Sequence, residues 1–198
     1  MTVTPDHWLT GVRRDFLAGG SEMKVRRFLV IHFTSGASAQ SSINFWRTVE
    51  AKGASAHIVI DRDGTPIQCR PTNFTCGHAG GPGKSSWNGF DGLNSCSIGI
   101  ELANAGDDVA LANRWTKLPL VKARHKFERS TKSWEAFPEA QVLKCIEIAR
   151  ALVERYHLDD IVGHEDVSPN RKNDPGPAFP MQRLREACGF KGLPIQAP

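Results

Sequence analysis

His164, Lys172 and Asp174 fall within eleven consecutive positions of one irregular segment, residues 162–179, "VGHEDVSPNRKNDPGPAF". Its glycines and prolines interrupt both helical and strand periodicity. Pro169, Pro175 and Pro177 stiffen the backbone, so the segment can hold side chains in a geometry that regular structure does not offer. Two imidazoles and a carboxylate, with a fourth position left to water, make one kind of catalytic zinc site. His32, at the end of "RRFLVIHF", would complete that set with His164 and Asp174. Each of these residues also has a plain structural reading: His32 as a satisfied core histidine, the 162–179 segment as a polar connector. Glu101 in "CSIGIEL" puts a carboxylate near the end of a second apolar run. Burying it alone is costly, so it either joins an ion pair or faces a wet pocket. Gly99, two positions earlier on the same strand face, leaves space beside it.

Other polar residues carry weaker signals. His78 lies in "CGHAGG", where glycines let backbone approach a ligand, so substrate contact and an ordinary turn are both open. His57 in "AHIVI" reads as core, or as support behind a site, rather than as a ligand. Residues 114–132 hold Arg114, Lys117, Lys122, Arg124, Lys126, Arg129 and Lys132 against the single acid Glu128. Such a run suits an anionic polymer, but a solvated face is its ordinary explanation.

The elements that must position these residues read as alternating strands and helices. Apolar, β-rich runs at 26–33 and 96–102 have the pattern of central strands, and 56–60 with 65–69 reads as a hairpin around "DRDG". Helical spacing runs over 38–52 and, most clearly, from Pro138 through "PEAQVLKCIEIARALVERY", with a last helix near 180–188. "DDIVG" reads as a further short strand, and 71–95 as a Gly- and Asn-rich loop. Strands alternating with helices predict an α/β fold: a single domain with a central mixed β-sheet flanked by helices. The expected organisation is an irregular lead-in at 1–26, a domain at 27–190 interrupted by a polar basic insertion at 104–137, and a tail at 191–198.

The 198-residue chain has a net charge of +4 and five cysteines without C-x-x-C spacing, which argues against a disulfide framework and a cysteine zinc knuckle. No apolar leader follows the N-terminal charges, and no run is long enough to span a bilayer. Synthesis in the cytoplasm without a signal peptide is therefore expected, with no stable membrane insertion. No helix-turn-helix, zinc-finger or RNP pattern supports a nucleic-acid partner. A monomer is expected.

In order along the chain, "FLVIHFT", "SAHIVIDRDGTPIQC", "CGHAG", "SSWNG", "NSCSIGIELAN" and "IVGHEDVSPNRKNDPGPAF" resemble the zinc N-acetylmuramoyl-L-alanine amidases of the type-2 amidase family. That family includes cytoplasmic anhydro-muropeptide amidases, phage lysozyme-like amidases and peptidoglycan recognition proteins. The resemblance spans roughly residues 27–188. It implies one zinc ion held by His32, His164 and Asp174, with Lys172 steadying the developing oxyanion and Glu101 as general base. It further implies hydrolysis of the amide between N-acetylmuramic acid and L-alanine, with peptidoglycan or a muropeptide as substrate. His78, Trp87 and Asn94 lie in loops expected to border the groove, in substrate contact or in holding the loops. Ala56 stands where some phage members carry a catalytic tyrosine, which places proton transfer on Glu101. Glu165 and Asp166 match no catalytic position and are expected to face solvent or cap.

The basic insertion inclines this reading toward a phage-type lytic enzyme acting on the cell wall after release. A cytoplasmic enzyme recycling anhydro-muropeptides is the alternative. An inactive peptidoglycan-binding module would need a broken metal site, whereas all the ligand positions are filled here.

Overall fold

The alternation of apolar strands with helical segments resolves, in a computed structural model that describes residues 1–195, into one mixed sheet covered by helices. In chain order the elements are β1 (Arg13–Arg14), β2 (Phe28–Phe33), α1 (Ala39–Trp46), β3 (Ile58–Ile60), β4 (Pro66–Gln68), β5 (Ser86–Trp87), β6 (Phe90–Asp91) and β7 (Ser97–Leu102). There follow α2 (Val109–Trp115), β8 (Leu120–Arg124), β9 (Thr131–Glu135), α3 (Glu139–Tyr156), β10 (Asp160–Gly163), α4 (His164–Val167) and α5 (Met181–Ala187). The main sheet runs β1-β4-β3-β7-β2-β10. Only β3 and β4 are antiparallel within it. β5 with β6 and β8 with β9 form separate hairpins.

Register decides what the sheet presents on each side. β2 pairs with β7 so that His32 lies opposite Glu101, and Val59 of β3 flanks Glu101 on its other side. Side chains alternate along strands, so Leu29, Ile31, Ile98 and Ile100 share one face while Val30, His32, Gly99 and Glu101 share the other. The first face is closed by α3, through Val142, Cys145, Ile146, Ala149 and Leu152. Gln141 of that helix donates to the carbonyls of Ile60 and Ala103, satisfying backbone acceptors just past the strand ends. The opposite face is apolar where Phe28, Val30 and Val162 meet Trp87 and Val167, and where Val59 and Ile67 meet Ile43 of α1. It turns polar at the carboxyl ends of β2 and β7, the usual position of a site in an open α/β sheet.

Several expectations change. The first helix ends at Trp46, short of residue 52, and a separate 3-10 turn occupies Val49–Ala51. The lead-in at 1–26 supplies an edge strand and buries Leu9, Val12, Leu17 and Met23, so it is part of the core despite its irregular sequence. The tail expected at 191–198 runs past the described residues at its last three positions. Cys69, Cys76, Cys96, Cys145 and Cys188 are free thiols, and burial pushes Cys69 up to about 12. Among the described residues no helix is long and apolar enough to cross a membrane.

The insertion is ordered rather than a simple solvated run. It contributes α2 and the β8–β9 hairpin, and its Trp134 and Glu135 are fully buried. Glu135 receives Arg62 through both carboxylate oxygens, at 2.6 and 3.0 Å, and also accepts from the Ala105 amide. Removing one partner of such a pair strands the other charge. Arg62→Ala is therefore expected to destabilise the fold by about 3–5 kcal/mol. Chemical denaturation would measure it, and a loss below 1 kcal/mol would show that Glu135 finds water instead. Lys126 and Lys132 pair with acids, whereas Arg114, Lys117, Lys122, Arg124 and Arg129 are exposed.

Candidate metal centre and cleft

His164 directly follows β10 as the first residue of α4, so the segment 162–179 starts with the last two residues of β10 and a single helical turn before it becomes irregular. The chain then folds back on itself. The Glu165 amide donates to the Asp174 carbonyl at 2.8 Å, and the amides of Arg171 and Lys172 donate to the Ser168 carbonyl. These bonds bring His164 and Asp174 side by side. Asp166 does cap the turn, accepting from the Gly163 amide at 2.7 Å. However, Glu165 and Asp166 do not face solvent; each is 8% exposed. Buried carboxylates need partners, and the insertion supplies them. His125 meets Glu165 at 2.6 Å, and Lys126 meets Glu165 at 2.9 Å and Asp166 at 2.6 Å.

Nδ1 of His32, Nδ1 of His164 and Oδ2 of Asp174 converge from β2, α4 and the loop end. His32 Nδ1 is 3.0 Å from His164 Nδ1 and 2.9 Å from Asp174 Oδ2, and the third separation is 3.0 Å. All three residues are buried and can hold one metal ion. The surrounding network assigns the ring hydrogens. His57 Nδ1 accepts from the Gly99 amide, so its Nε2–H donates to the Phe74 carbonyl. His78 Nε2 lies 3.3 Å from both the carbonyl and the hydroxyl oxygen of Ser97; that hydroxyl donates to the Leu93 carbonyl, so Nε2–H of His78 donates to Ser97 and its Nδ1 is left as an acceptor. His32 Nε2–H then donates to it at 2.9 Å, and the lone pair of His32 Nδ1 points into the centre. His164 Nε2–H donates to the Ala79 carbonyl at 3.2 Å, which leaves its Nδ1 lone pair inward as well. Arg171 Nη2 lies 3.4 Å from the same ring nitrogen but is aimed at the Ala79 carbonyl, 3.0 Å away.

Burial pushes His32 down to about 4, with His164 acting in the same direction, so the His32 ring is neutral near pH 7. Burial alone would raise the Asp174 carboxyl, but the two imidazoles facing it hold it well below the usual carboxylate range. Two inward-facing ring lone pairs and a carboxylate oxygen, held about 3 Å apart, repel one another unless positive charge lies among them. This donor set fits zinc, with the fourth position open to the cleft.

Glu101 and Lys172 line the same cleft, a cavity of about 950 Å³. Glu101 Oε2 is buried with no hydrogen-bond partner among the described residues. Burial raises its carboxyl well above the ordinary range, Asp174 adds to this and Lys172 opposes it. Among the described residues no ion pair absorbs Glu101, so the wet-pocket reading is the one the geometry favours.

The three loop residues expected to border the groove take different places. His78 and Asn94 both border the cleft. The His78 ring stands behind His32 in the space that Gly99 leaves, where a Cβ on residue 99 would lie 2.6 Å from it. Asn94 Oδ1 accepts from the amides of His78, Ala79 and Gly80 at 3.1, 2.8 and 3.0 Å, and so shapes that loop. Trp87, by contrast, lies outside the cleft. It is 2% exposed, donates to Asp160 at 3.0 Å and packs beside Phe28, because burying its indole anchors the glycine-rich loop. Arg171 was not among the residues singled out from the sequence, yet it ties Ala79 and Lys84 to the loop that bears His164. No spacing rule marks it.

Outer partners of metal-bound histidines typically contribute 10–100-fold in affinity. His78→Ala is accordingly expected to weaken zinc binding by about 10–100-fold, because it frees Nε2 of His32 and the ring's orientation. Competition with a chromogenic chelator measures it, and unchanged affinity would reduce His78 to a packing residue.

Comparison with known proteins places this geometry in context. The profile of the family described as N-acetylmuramoyl-L-alanine amidase matches residues 21–177. N-acetylmuramoyl-L-alanine amidase AmiD of Escherichia coli is 34% identical over 183 residues, covering 88% of this chain and 56% of that protein. 1,6-Anhydro-N-acetylmuramyl-L-alanine amidase AmpD of Escherichia coli is 32% identical over 143 residues, covering 71% of this chain and 62% of that protein. The chain thus spans less than two thirds of the length of these relatives. A crystal structure of a selenomethionine AmpD derivative superposes with a TM-score of 0.66 at 25% identity, covering 94% of this chain and 99% of that one. The E. coli AmiD complex with anhydro-N-acetylmuramic acid-L-Ala-D-γ-Glu-L-Lys superposes with a TM-score of 0.64 at 30% identity, covering 98% of this chain and 67% of that one.

Proposed function

Because the chain belongs to the N-acetylmuramoyl-L-alanine amidase family, we propose that it hydrolyses the amide between the lactyl group of N-acetylmuramic acid and the L-alanine of a stem peptide. The observation that carries this reading is the convergence of His32, His164 and Asp174 in one cleft beside the unpartnered oxygen of Glu101. In this reading His32, His164 and Asp174 hold one zinc ion. When bound there, zinc supplies Lewis acidity and makes hydroxide available near neutral pH. Glu101 takes the proton of the attacking water and returns it to the departing alanine nitrogen. Lys172, on the cleft wall, offers its ammonium to the oxygen on which charge collects. Ala56 is fully buried and has no ionisable group, so it does not share that task with Glu101.

The substrate we favour is a soluble anhydro-muropeptide. AmpD relatives are named for 1,6-anhydro-N-acetylmuramyl-L-alanine, and the solved AmiD complex holds an anhydro-N-acetylmuramic acid tripeptide. The phage-type lytic reading rested on the basic insertion, yet Lys126 and Lys132 of that insertion are engaged with acids of the fold. Site of action follows substrate: soluble muropeptides would be met before export, intact wall only after it. Release of stem peptide should be faster from soluble anhydro-muropeptide than from purified sacculi. The reverse preference would favour the lytic reading, and no release from either would sink the amidase reading itself.

A further inference from the structure

The cleft is lined with more cations than acids. Among the described residues Glu101 and Asp174 are its only acids, against Lys52, Lys84, Arg171 and Lys172. Arg171 is engaged with the carbonyls of Ala79 and Lys84 and with the Ser168 hydroxyl. Lys172 acts on the charge of Glu101 and is already given to the oxyanion. The ammonium groups of Lys52 and Lys84 have no hydrogen-bond or ionic partner among the described residues. Position separates these two. The Lys84 carbonyl accepts from Ser168 Oγ at 2.8 Å and from Arg171 Nε at 3.2 Å, and its amide donates to the Gly81 carbonyl at 3.0 Å. Gly80 lies against it, so that a Cβ on residue 80 would come within 3.0 Å of the Lys84 Cβ. The backbone of Lys84 is thus tied to the loop that bears His164, and only its side chain is left to order on binding. Lys52 instead closes the 3-10 turn after α1, its amide donating to Val49 of that turn.

The reacting amide divides the substrate electrically. On the sugar side, the lactyl carboxyl is consumed in the amide and the N-acetylated ring is neutral. Every carboxylate therefore belongs to the stem peptide, and an unpaired cation on the cleft wall finds its partner there. In the ligand of the AmiD complex the residue after alanine is a γ-linked D-glutamate, whose α-carboxylate is left free. That carboxylate sits on the next α-carbon, about 4 Å beyond that of the alanine, so it is the anion closest to the scissile bond.

We propose that Lys84 is a specificity-determining residue that pairs with the free α-carboxylate of a γ-linked D-glutamate next to the reacting alanine. The chain then selects stem peptides bearing that carboxylate over those in which it is a carboxamide. The proposal rests on the amidase reading and adds to it the residue that reads the peptide.

The test compares kcat/KM on anhydro-N-acetylmuramyl-L-Ala-D-γ-Glu-L-Lys and on the same compound with the glutamate α-carboxylate converted to a carboxamide, using the zinc-loaded full chain. The carboxylate substrate is expected to be favoured about tenfold, the lower end of what a hydrogen bond between charged groups supplies. Lys84→Met, which keeps the length of the side chain and removes its charge, should bring that ratio toward one, and Lys84→Arg should preserve it. Equal rates in the wild type would overturn the proposal while leaving the amidase reading standing, since both substrates are then cleaved. A Lys84→Met variant that slows both alike would also overturn it, because Lys84 would then act on the loop and not on the carboxylate. So would loss of the preference in Lys52→Met with Lys84 intact, which would move the reading of the peptide to Lys52. Cleavage of neither substrate would remove the amidase reading, and this proposal with it.

Discussion

Glu101→Gln is expected to lower kcat by about 10²–10⁴-fold, the contribution of a positioned general acid–base, while zinc content stays at one equivalent per chain. Gln preserves the shape and most of the packing of Glu101, which sits in register between His32 and Val59. What it removes is the capacity to accept and return a proton. The wild-type carboxylate has one buried oxygen without a partner and a carboxyl raised well above its ordinary range by burial. An uncharged side chain is tolerated there at least as well, so the unfolding midpoint should not fall. A steep loss of turnover with intact metal and intact stability separates a proton carrier from a structural acid. Near-normal turnover would take Glu101 out of the mechanism.

Asp174→Asn is expected to weaken zinc binding by more than the ~100-fold attributed to outer partners, because it removes a ligand and its charge together. Oδ2 of Asp174 is the atom that both imidazoles face, at 2.9 and 3.0 Å. Its negative charge would balance a dication held in this buried site. After dialysis the wild type should keep about one zinc and the variant essentially none, with activity lost in parallel, as expected when a ligand of a catalytic zinc is removed. The backbone bond from Glu165 to the Asp174 carbonyl is untouched by the change, so the loop itself should persist. Stoichiometric zinc in the variant would show that the two histidines and another group hold the metal, and would move Asp174 to a supporting place.

The parts of the fold written in periodicity were legible from residues alone. Strands β2 and β7 are runs of apolar, β-branched residues, and α3 repeats its apolar positions at three and four, so period and burial agree. His32 and Glu101 stood out because each breaks an apolar run at the same end of its strand. The lead-in was not legible in this way: Leu9, Val12, Leu17 and Met23 are buried one at a time, without a period. The insertion misled for a related reason. Its run 114–132 holds seven Lys and Arg against one acid, but Asp107, Glu165 and Asp166, which receive Lys132 and Lys126, lie outside that run. Charge balance in space cannot be read from charge balance along the chain. Trp87 shows the same limit, since an aromatic in a glycine-rich loop suits a sugar or a core equally, and only Asp160, far along the sequence, decides between them. Gly99 was read as open space; the space exists, and the imidazole of His78 fills it.

The most direct test treats the protein with a chelator, offers it anhydro-N-acetylmuramyl tripeptide, and follows the products by mass spectrometry as zinc is restored. The account predicts no cleavage without metal, then one water added across the lactyl–alanine amide, with the rate levelling at one zinc per chain. Equal cleavage in the chelated protein, or cleavage at a different bond, would contradict it.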